Sequence, residues 1–381
     1  MRFEIPSRLI KNQEIILTKA IENRVLKLRK SLSEKHFDTF MILIGENRRY
    51  LSGFTAEDTG FDESAGALFI TSQKLILATD SRYTLQAEQE APGYEIFCYK
   101  KGLANELPDI LRSLETKKLG FESKRLSYIQ YNQITKQLLS NGLNILLTGT
   151  EDIVENLRVK KEKEEIKNTR NSLFIAESTF KNFITNNSIL GMTEKEVAWA
   201  MEKGMREAGA ESISFPVIVA SGPNSALPHA IPGNRKINKV EPVLFDWGAK
   251  VNGYCSDISR TILTGKPDDT FIKVYETVLN AQRMATDAIK PGVSSRTIDK
   301  IARDYIDKMG FKGKFGHGLG HGTGLAIHEY PGLNPNKNTI LEKDMVFTIE
   351  PGIYIPGWGG VRLENMVVVR ENGAEVLNTL E

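Results

Sequence analysis

Three of the chain's five histidines, His317, His321 and His328, fall within the glycine-rich stretch GHGLGHGTGLAIHEYP (316–331). A neutral imidazole can ligate a divalent ion or donate a hydrogen bond to developing negative charge. Glycine lets backbone come close to whatever such a loop holds. A Gly-rich loop with incidental histidines looks the same in isolation, so the chemistry depends on which residues join them.

Carboxylates are the first candidates. PVLFDWGAKVNGYCSDISRTIL (242–263) reads as two strands around Asn252-Gly253, a two-residue hairpin signal. That turn pairs residues whose numbers sum to 505, which sets Asp246 opposite Ser259. Asp257, two residues from Ser259, shares its face, so the two aspartates become diagonal neighbours at roughly 7–8 Å. Val243, Leu244, Phe245 and Ile258 point to burial, where two like charges require a compensating cation.

MVFTIEPGIYIPGWGGVRLENMVVV (345–369) repeats the arrangement, with Glu350 and Glu364 equidistant from Gly357. A reversal centred on that glycine brings the two glutamates together. Arg362 lies on the same face as Glu364 and can orient or partly neutralise the cluster. Two Asp, two Glu and one imidazole do not make a tetrahedral zinc site, which favours fewer ligands. They suit two divalent ions sharing carboxylates, with Mn²⁺, Co²⁺, Zn²⁺ or Fe²⁺ as candidates. Ions ~3.5–4 Å apart can hold a bridging hydroxide as nucleophile and polarise the carbonyl it attacks, so the reaction class is metal-assisted hydrolysis.

The elements that position these residues carry an internal echo. Gly191-Met192-Thr193 opens a helix with a Thr193/Glu196 capping box that ends near Gly209. Gly292-Val293-Ser294 opens another, apolar at Ile298, Ile301, Ala302, Tyr305, Ile306 and Met309, that ends at Gly310. Both the openings and the ends lie 101 residues apart, which predicts two α/β halves related by a pseudo-two-fold axis, with a site between them.

The first ~150 residues alternate strand and helix signals. TFMILIG (39–45), GALFITSQKLILATD (66–80, broken at Ser72–Gln73) and KLGFES (118–123) read as strands, and 104–114 reads as a helix. This predicts an α/β domain with a mixed sheet. NRRYLSGF (47–54) reads as a surface loop rather than a catalytic segment. A charged stretch from Asn156 to Lys167 marks a hinge into a second domain, and the alternating charges of Lys160–Lys167 read as a solvated helix face. The expected domains are 1–155 and 156–381.

Composition excludes several classes. A formal charge of +2 over 381 residues gives no reason to expect nucleic acid or an anionic membrane. No apolar run approaches the ~18–20 residues that span a bilayer, and the first residues lack a secretory signal's apolar core. Cys98 and Cys255 form neither a disulfide framework nor a CxxC motif. The expectation is a soluble, cytoplasmic protein.

Five stretches resemble the pita-bread metallopeptidases, a family that includes aminopeptidase P, prolidase and methionine aminopeptidase. They are SALPHA (225–230), LFDWGAKVNGYCSDISRTI (244–262), FGHGLGHGTGLAIHEYP (315–331), TIEPGIY (348–354) and VRLENM (361–366), in the family's order. NRRYLSGF and TDSRY (79–83) resemble the creatinase-type N-terminal domain of the proline-specific branch. The implied fold is a creatinase-like α/β domain followed by a pita-bread α+β catalytic domain.

The resemblance implies that Asp246, Asp257, His321, Glu350 and Glu364 hold two metal ions, foremost Mn²⁺, with Asp257 and Glu364 bridging. It makes Glu350 a proton shuttle as well as a ligand, and has His317 line the site without binding metal. His229 and His328 would contact the substrate and the tetrahedral centre. Ser259 would support Asp257, Arg362 would position the aspartates, and His36 would be a surface residue. The chain departs from the family pattern at Ala326, where an acidic residue is common, and at Ser259, where threonine is.

The implied activity is removal of an N-terminal residue that precedes proline. Aminopeptidase P is the leading expectation and prolidase, restricted to dipeptides, the alternative. A non-catalytic pita-bread binding module is a more distant reading. The partners expected are a peptide with proline at position two and a second copy of the chain in a homodimer.

Overall fold

The run Thr39–Ile42 is buried along its whole length, as a strand covered on both faces is. In the computed structural model it is the inner strand β1 of the first of two units, Met1–Leu157 and Arg158–Glu381. The structure describes residues 18–58, 60 and 63–380.

The first unit has strands β1 (Thr39–Ile42), β2 (Ala67–Thr71), β3 (Leu75–Thr79), β4 (Glu95–Cys98), β5 (Lys118–Glu122) and β6 (Leu146–Thr150). Its helices are α1 (Lys19–Glu34), α2 (Gly45–Ser52), α3 (Thr84–Glu90), α4 (Leu103–Ser113) and α5 (Tyr128–Ser140). The sheet runs β4-β3-β2-β1-β5-β6, antiparallel at β1–β2 and β2–β3 and parallel elsewhere, as the mixed-sheet reading requires. NRRYLSGF is not a surface loop. It forms most of α2, and Asn47, Arg48, Tyr50, Leu51, Ser52 and Phe54 are buried. Composition misreads Arg48 because its charge is neutralised inside: the guanidinium donates to Leu43 O and Asp58. His36 is exposed.

A single helical turn, α6 (Glu155–Arg158), precedes α7 (Lys163–Asn186). The charges around it are not all solvated, since Lys161 and Glu165 are buried. Lys161 Nζ lies 2.9 Å from Glu329, and Glu165 Oε1 accepts the Tyr254 hydroxyl. Alternating sign conceals such burial when each charge has an internal partner.

The second unit repeats one plan. Its first half has α7, α8 (Glu194–Glu207), β7 (Ser212–Ile213), β8 (Ile218–Ser221), β9 (Pro242–Trp247), β10 (Ala249–Val251), β11 (Tyr254–Cys255) and β12 (Ile258–Leu263). Its second half has α9 (Asp269–Asp287), α10 (Ser295–Ile306), β13 (Gly320–Gly322), β14 (Glu329–Leu333), β15 (Val346–Ile349), β16 (Gly352–Ile355), β17 (Gly359–Arg362), β18 (Asn365–Arg370) and β19 (Gly373–Val376).

Thr193 caps α8 with Glu196 in the expected capping box. Gly191, Gly209, Gly292 and Gly310 all take positive φ, which an L side chain resists. Each helix start is tied by an isolated bridge to a later segment, Thr193 to Lys236 and Ser294 to Ile340. Thus both members of the echo share their backbone conformation as well as their spacing. The first half packs Phe180 on Trp247 (centroids 4.5 Å apart) and the edge of Phe245. The second packs Val274, Val278 and Ile298 against Phe347, Ile349 and Val367.

Candidate metal centre

Two hairpin registers assemble the site. Asn252 and Gly253 both take positive φ, the conformation of a type I′ turn. Lys250 pairs with Cys255 and Asp246 with Ser259, so the register of 505 runs through the whole ribbon. Asp257 precedes β12 and is buried. The strands cross closely there: a Cβ on Gly248 would lie 1.8 Å from Ser256 O.

In the second half β15 pairs with β18 and β16 with β17 in one common register, centred on Gly357. Glu350 and Glu364 fall between these paired segments, at corresponding positions. The Glu364 amide donates to Ser259 O at 3.0 Å, binding the second half's ribbon to the first's. His321 sits on β13, and its amide donates to Thr348 Oγ1 at 3.1 Å. A Cβ on Gly320 would lie 1.9 Å from Thr348 O, so glycine is needed for β13 to approach this closely.

His321 Nε2 lies 3.4 Å from Asp257 Oδ2 and 3.5 Å from Glu350 Oε1. One ligand atom from each of Asp257, His321 and Glu364 falls within a 4.8 Å span. Burial raises the Asp257 carboxyl well above its ordinary pKa, and Asp246 and Glu350 raise it further. Glu364 is raised by burial, then by Asp257 and Glu350. Burial also raises Glu350, although His321 and Arg362 oppose it. Asp246 Oδ2 accepts from Arg362 at 2.7 Å, while Oδ1 is buried with no hydrogen-bond partner among the described residues.

A cluster of desolvated carboxylates, one orphaned oxygen and one imidazole nitrogen is what divalent cations relieve. Hard and borderline ions match these oxygen and nitrogen donors. The residues present therefore fit a metal centre.

Arg362 organises the cluster. Its Nε donates to Ser259 Oγ (2.9 Å) and its two terminal nitrogens to Pro228 O, Tyr354 Oη and Asp246. It reaches one aspartate rather than both. Ser259 Oγ donates to Glu364 Oε2 at 2.7 Å, so it supports Glu364 and not Asp257. Sharing a strand face with Asp257 puts Ser259 beside it, but the hydroxyl turns across the sheet toward the other half.

Both ring nitrogens of His317 are engaged, Nδ1 with Gly318 O and Nε2 with Tyr354 Oη, each at 2.8 Å. Burial, reinforced by Arg362, lowers its pKa to about 4 and leaves the ring neutral. His328 sets its ring edge against His321 (centroids 4.3 Å apart), and burial, then His321, lowers its pKa. His229 is exposed on the segment between β8 and β9.

All nine site residues expected from the sequence line one cleft of about 520 Å³. Phe215, Ile218, Ile231 and Ile327 supply an apolar wall.

Two residues escaped sequence reasoning. Tyr354 bridges His317 and Arg362; the available signal was a phenol on the strand after Glu350. Glu194 receives Ser221 N and Oγ, Asn224 Nδ2 and Gly233 N, pinning the segment that carries His229. No local signal separates Glu194 from an ordinary first-turn glutamate.

Comparison with known proteins agrees with this geometry. Residues 167–371 match Metallopeptidase family M24, and residues 24–160 match the Creatinase/Prolidase N-terminal domain. A Xaa-Pro dipeptidase of Pyrococcus furiosus is 36% identical over 95% of this chain and 99% of its own length. A Xaa-Pro dipeptidase structure from Bacillus anthracis superposes with a TM-score of 0.88 at 37% identity, over 95% of this chain and 98% of that one. An X-Pro aminopeptidase structure from Thermotoga maritima gives 0.82 at 35%, over 92% and 98%. The likeness thus runs along nearly the whole chain, through both the α/β unit and the unit that bears the carboxylates and the histidine loop, and this chain is a member of metallopeptidase family M24 with a creatinase/prolidase-type N-terminal domain.

Proposed function

We propose that this metal-dependent peptidase hydrolyses the bond between an N-terminal residue and a following proline, with Xaa-Pro dipeptides as its principal substrates. The observation that carries this reading is the near full-length similarity to Xaa-Pro dipeptidases from two organisms. It reverses the order expected from the sequence, in which aminopeptidase P led.

Asp246, Asp257, His321, Glu350 and Glu364 would hold two divalent ions, with Mn²⁺ as the proposed pair. When bound, such ions polarise the scissile carbonyl and activate water. Glu350, which lines the cleft, would serve as the group that carries a proton to the leaving proline nitrogen. An X–Pro bond is a tertiary amide, so its nitrogen has no proton of its own and departs only once protonated. His328 and His229, which both line the cleft, would donate to the substrate carbonyl. His317, held neutral between Gly318 O and Tyr354, lines the floor. The apolar wall suits the proline ring. We also propose that the protein works as a homodimer in the cytoplasm.

A second reading, cleavage of longer peptides, has support in the cleft itself. Among its described lining residues Arg362 is the one guanidinium or ammonium group, and it is committed to Asp246. A dipeptide's C-terminal carboxylate therefore meets no free arginine or lysine there. The deciding experiment compares release of alanine from Ala-Pro and Ala-Pro-Ala by Mn²⁺-loaded protein. Faster turnover of the dipeptide supports the first reading, faster turnover of the tripeptide the second, and cleavage of neither contradicts both.

A further inference from the structure

Beside the histidine loop lies a buried charge cluster that the mechanism above does not use. Arg158 and Lys161 both pair with Glu329, and the three side chains are 4%, 1% and 7% exposed. A buried ion cluster adds little net stability over apolar packing of equal volume, so its consequence is sought in geometry.

The loop is folded around the Glu329 carboxylate. Oε1 accepts the Ala326 amide at 2.9 Å. The Gly324 amide donates to Ala326 O, and Thr323 Oγ1 donates to Ile327 O. A Cβ on Gly324 would lie 2.9 Å from both Glu329 oxygens and from Lys161 Cε, so the loop backbone rests directly on the cluster. Glu329 itself pairs with Gly322, after a register shift that follows His321. The chain thus leaves the strand at His321, turns over the carboxylate and returns with His328 facing His321.

The cationic side is equally fixed. Lys161 N donates to Asp344 O, Lys161 Nζ donates to Arg158 O, and Lys160 bridges to Met345 at the start of the strand that leads to Glu350. Burial opposes ionisation of Glu329, but Lys161 and Arg158 prevail and lower its pKa to about 2, so the cluster stays charged at neutral pH.

We propose that the Arg158–Lys161–Glu329 cluster positions His328 against the metal centre, which makes Glu329 a positioning residue for hydrolysis. The catalytic part of this claim rests on the Xaa-Pro reading; the structural part does not.

The test is a double-mutant cycle on the Mn²⁺-loaded protein with Glu329→Gln, His328→Ala and the double variant. Glutamine keeps the size of Glu329 and an acceptor for the Ala326 amide, while removing the negative charge that Arg158 and Lys161 share. Glu329→Gln is expected to lower kcat by ~10–100-fold with the manganese content unchanged. In the His328→Ala background the same change is expected to cost less than about threefold, because residues acting as one unit are not additive. Losses that multiply overturn the proposal.

Hydrogen exchange on the chelated protein provides a readout independent of activity. Exchange over residues 323–329 is expected to accelerate in Glu329→Gln while the remainder of the catalytic unit is unchanged. Unchanged loop exchange, or acceleration throughout the unit, overturns the proposal. If Glu329→Gln fails to fold, Lys161→Met, which keeps the Arg158–Glu329 pair, is measured by the same two criteria. If the wild type cleaves no Xaa-Pro peptide the functional reading fails, and the exchange measurement still decides the positioning claim.

Discussion

Arg362 and Asp246 come from opposite halves of the catalytic unit and meet at 2.7 Å, which leaves the second oxygen of Asp246 buried and unpartnered among the described residues. One arginine thereby divides a carboxylate between a protein contact and a position that a cation can fill.

Arg362→Lys is expected to keep the charge and lose the geometry. An ammonium cannot reach Ser259, Tyr354, Pro228 and Asp246 together, as the planar fork does. Mn²⁺ affinity or kcat/KM is expected to fall ~10–100-fold, read by calorimetric titration and steady-state kinetics. Wild-type values would show that Asp246 needs no such orientation.

Asp257→Asn removes a bridging candidate and also a charge that its neighbours resist. Because burial and then Asp246 and Glu350 raise the Asp257 pKa, its ionisation works against the metal-free fold as pH rises. The variant is expected to lose activity by at least ~100-fold while its melting temperature in excess chelator equals or exceeds that of the wild type. A large drop in that melting temperature would contradict the electrostatic account.

Gly320→Ala places a methyl group 1.9 Å from Thr348 O, a clash with backbone that no rotamer relieves. A loss of about 1–3 kcal/mol is expected, a fall of several degrees in melting temperature, together with weaker metal binding as His321 shifts. Calorimetry of the loaded and chelated forms checks both effects.

Acid should reveal the Glu329 cluster. Its folded-state pKa is lowered from 4.5 to about 2, so its stabilisation is complete above the first value and lost as pH falls through the second. Thermal unfolding across that window is expected to show a steeper loss for the wild type than for Glu329→Gln. Parallel curves would contradict the assignment.

What was legible in the sequence was mostly register. Asn252-Gly253 fixed one ribbon and the symmetry about Gly357 the other, because a two-residue turn and a period of two leave little freedom. The helix echo was legible because positive-φ glycines must recur wherever the backbone repeats. Side-chain direction was not. Ser259 was placed on the right face with the wrong partner, since its choice between Asp257 and Glu364 depends on a residue 105 positions away. Arg48, Lys161 and Glu165 read as surface residues because burial of a charge is decided by distant partners such as Asp58, Glu329 and Tyr254. Tyr354 and Glu194 act through hydrogen bonds to segments that only the folded chain brings near.

The central claim is that four carboxylates and His321 form a two-ion hydrolytic centre. Mn²⁺ titrated into chelated protein, with bound metal and Ala-Pro and Ala-Pro-Ala cleavage followed in the same samples, tests it most directly. The expected result is no cleavage without metal, and a rate that saturates as about two ions bind per chain. Full activity in excess chelator, or saturation at two ions with neither peptide cleaved, would contradict it.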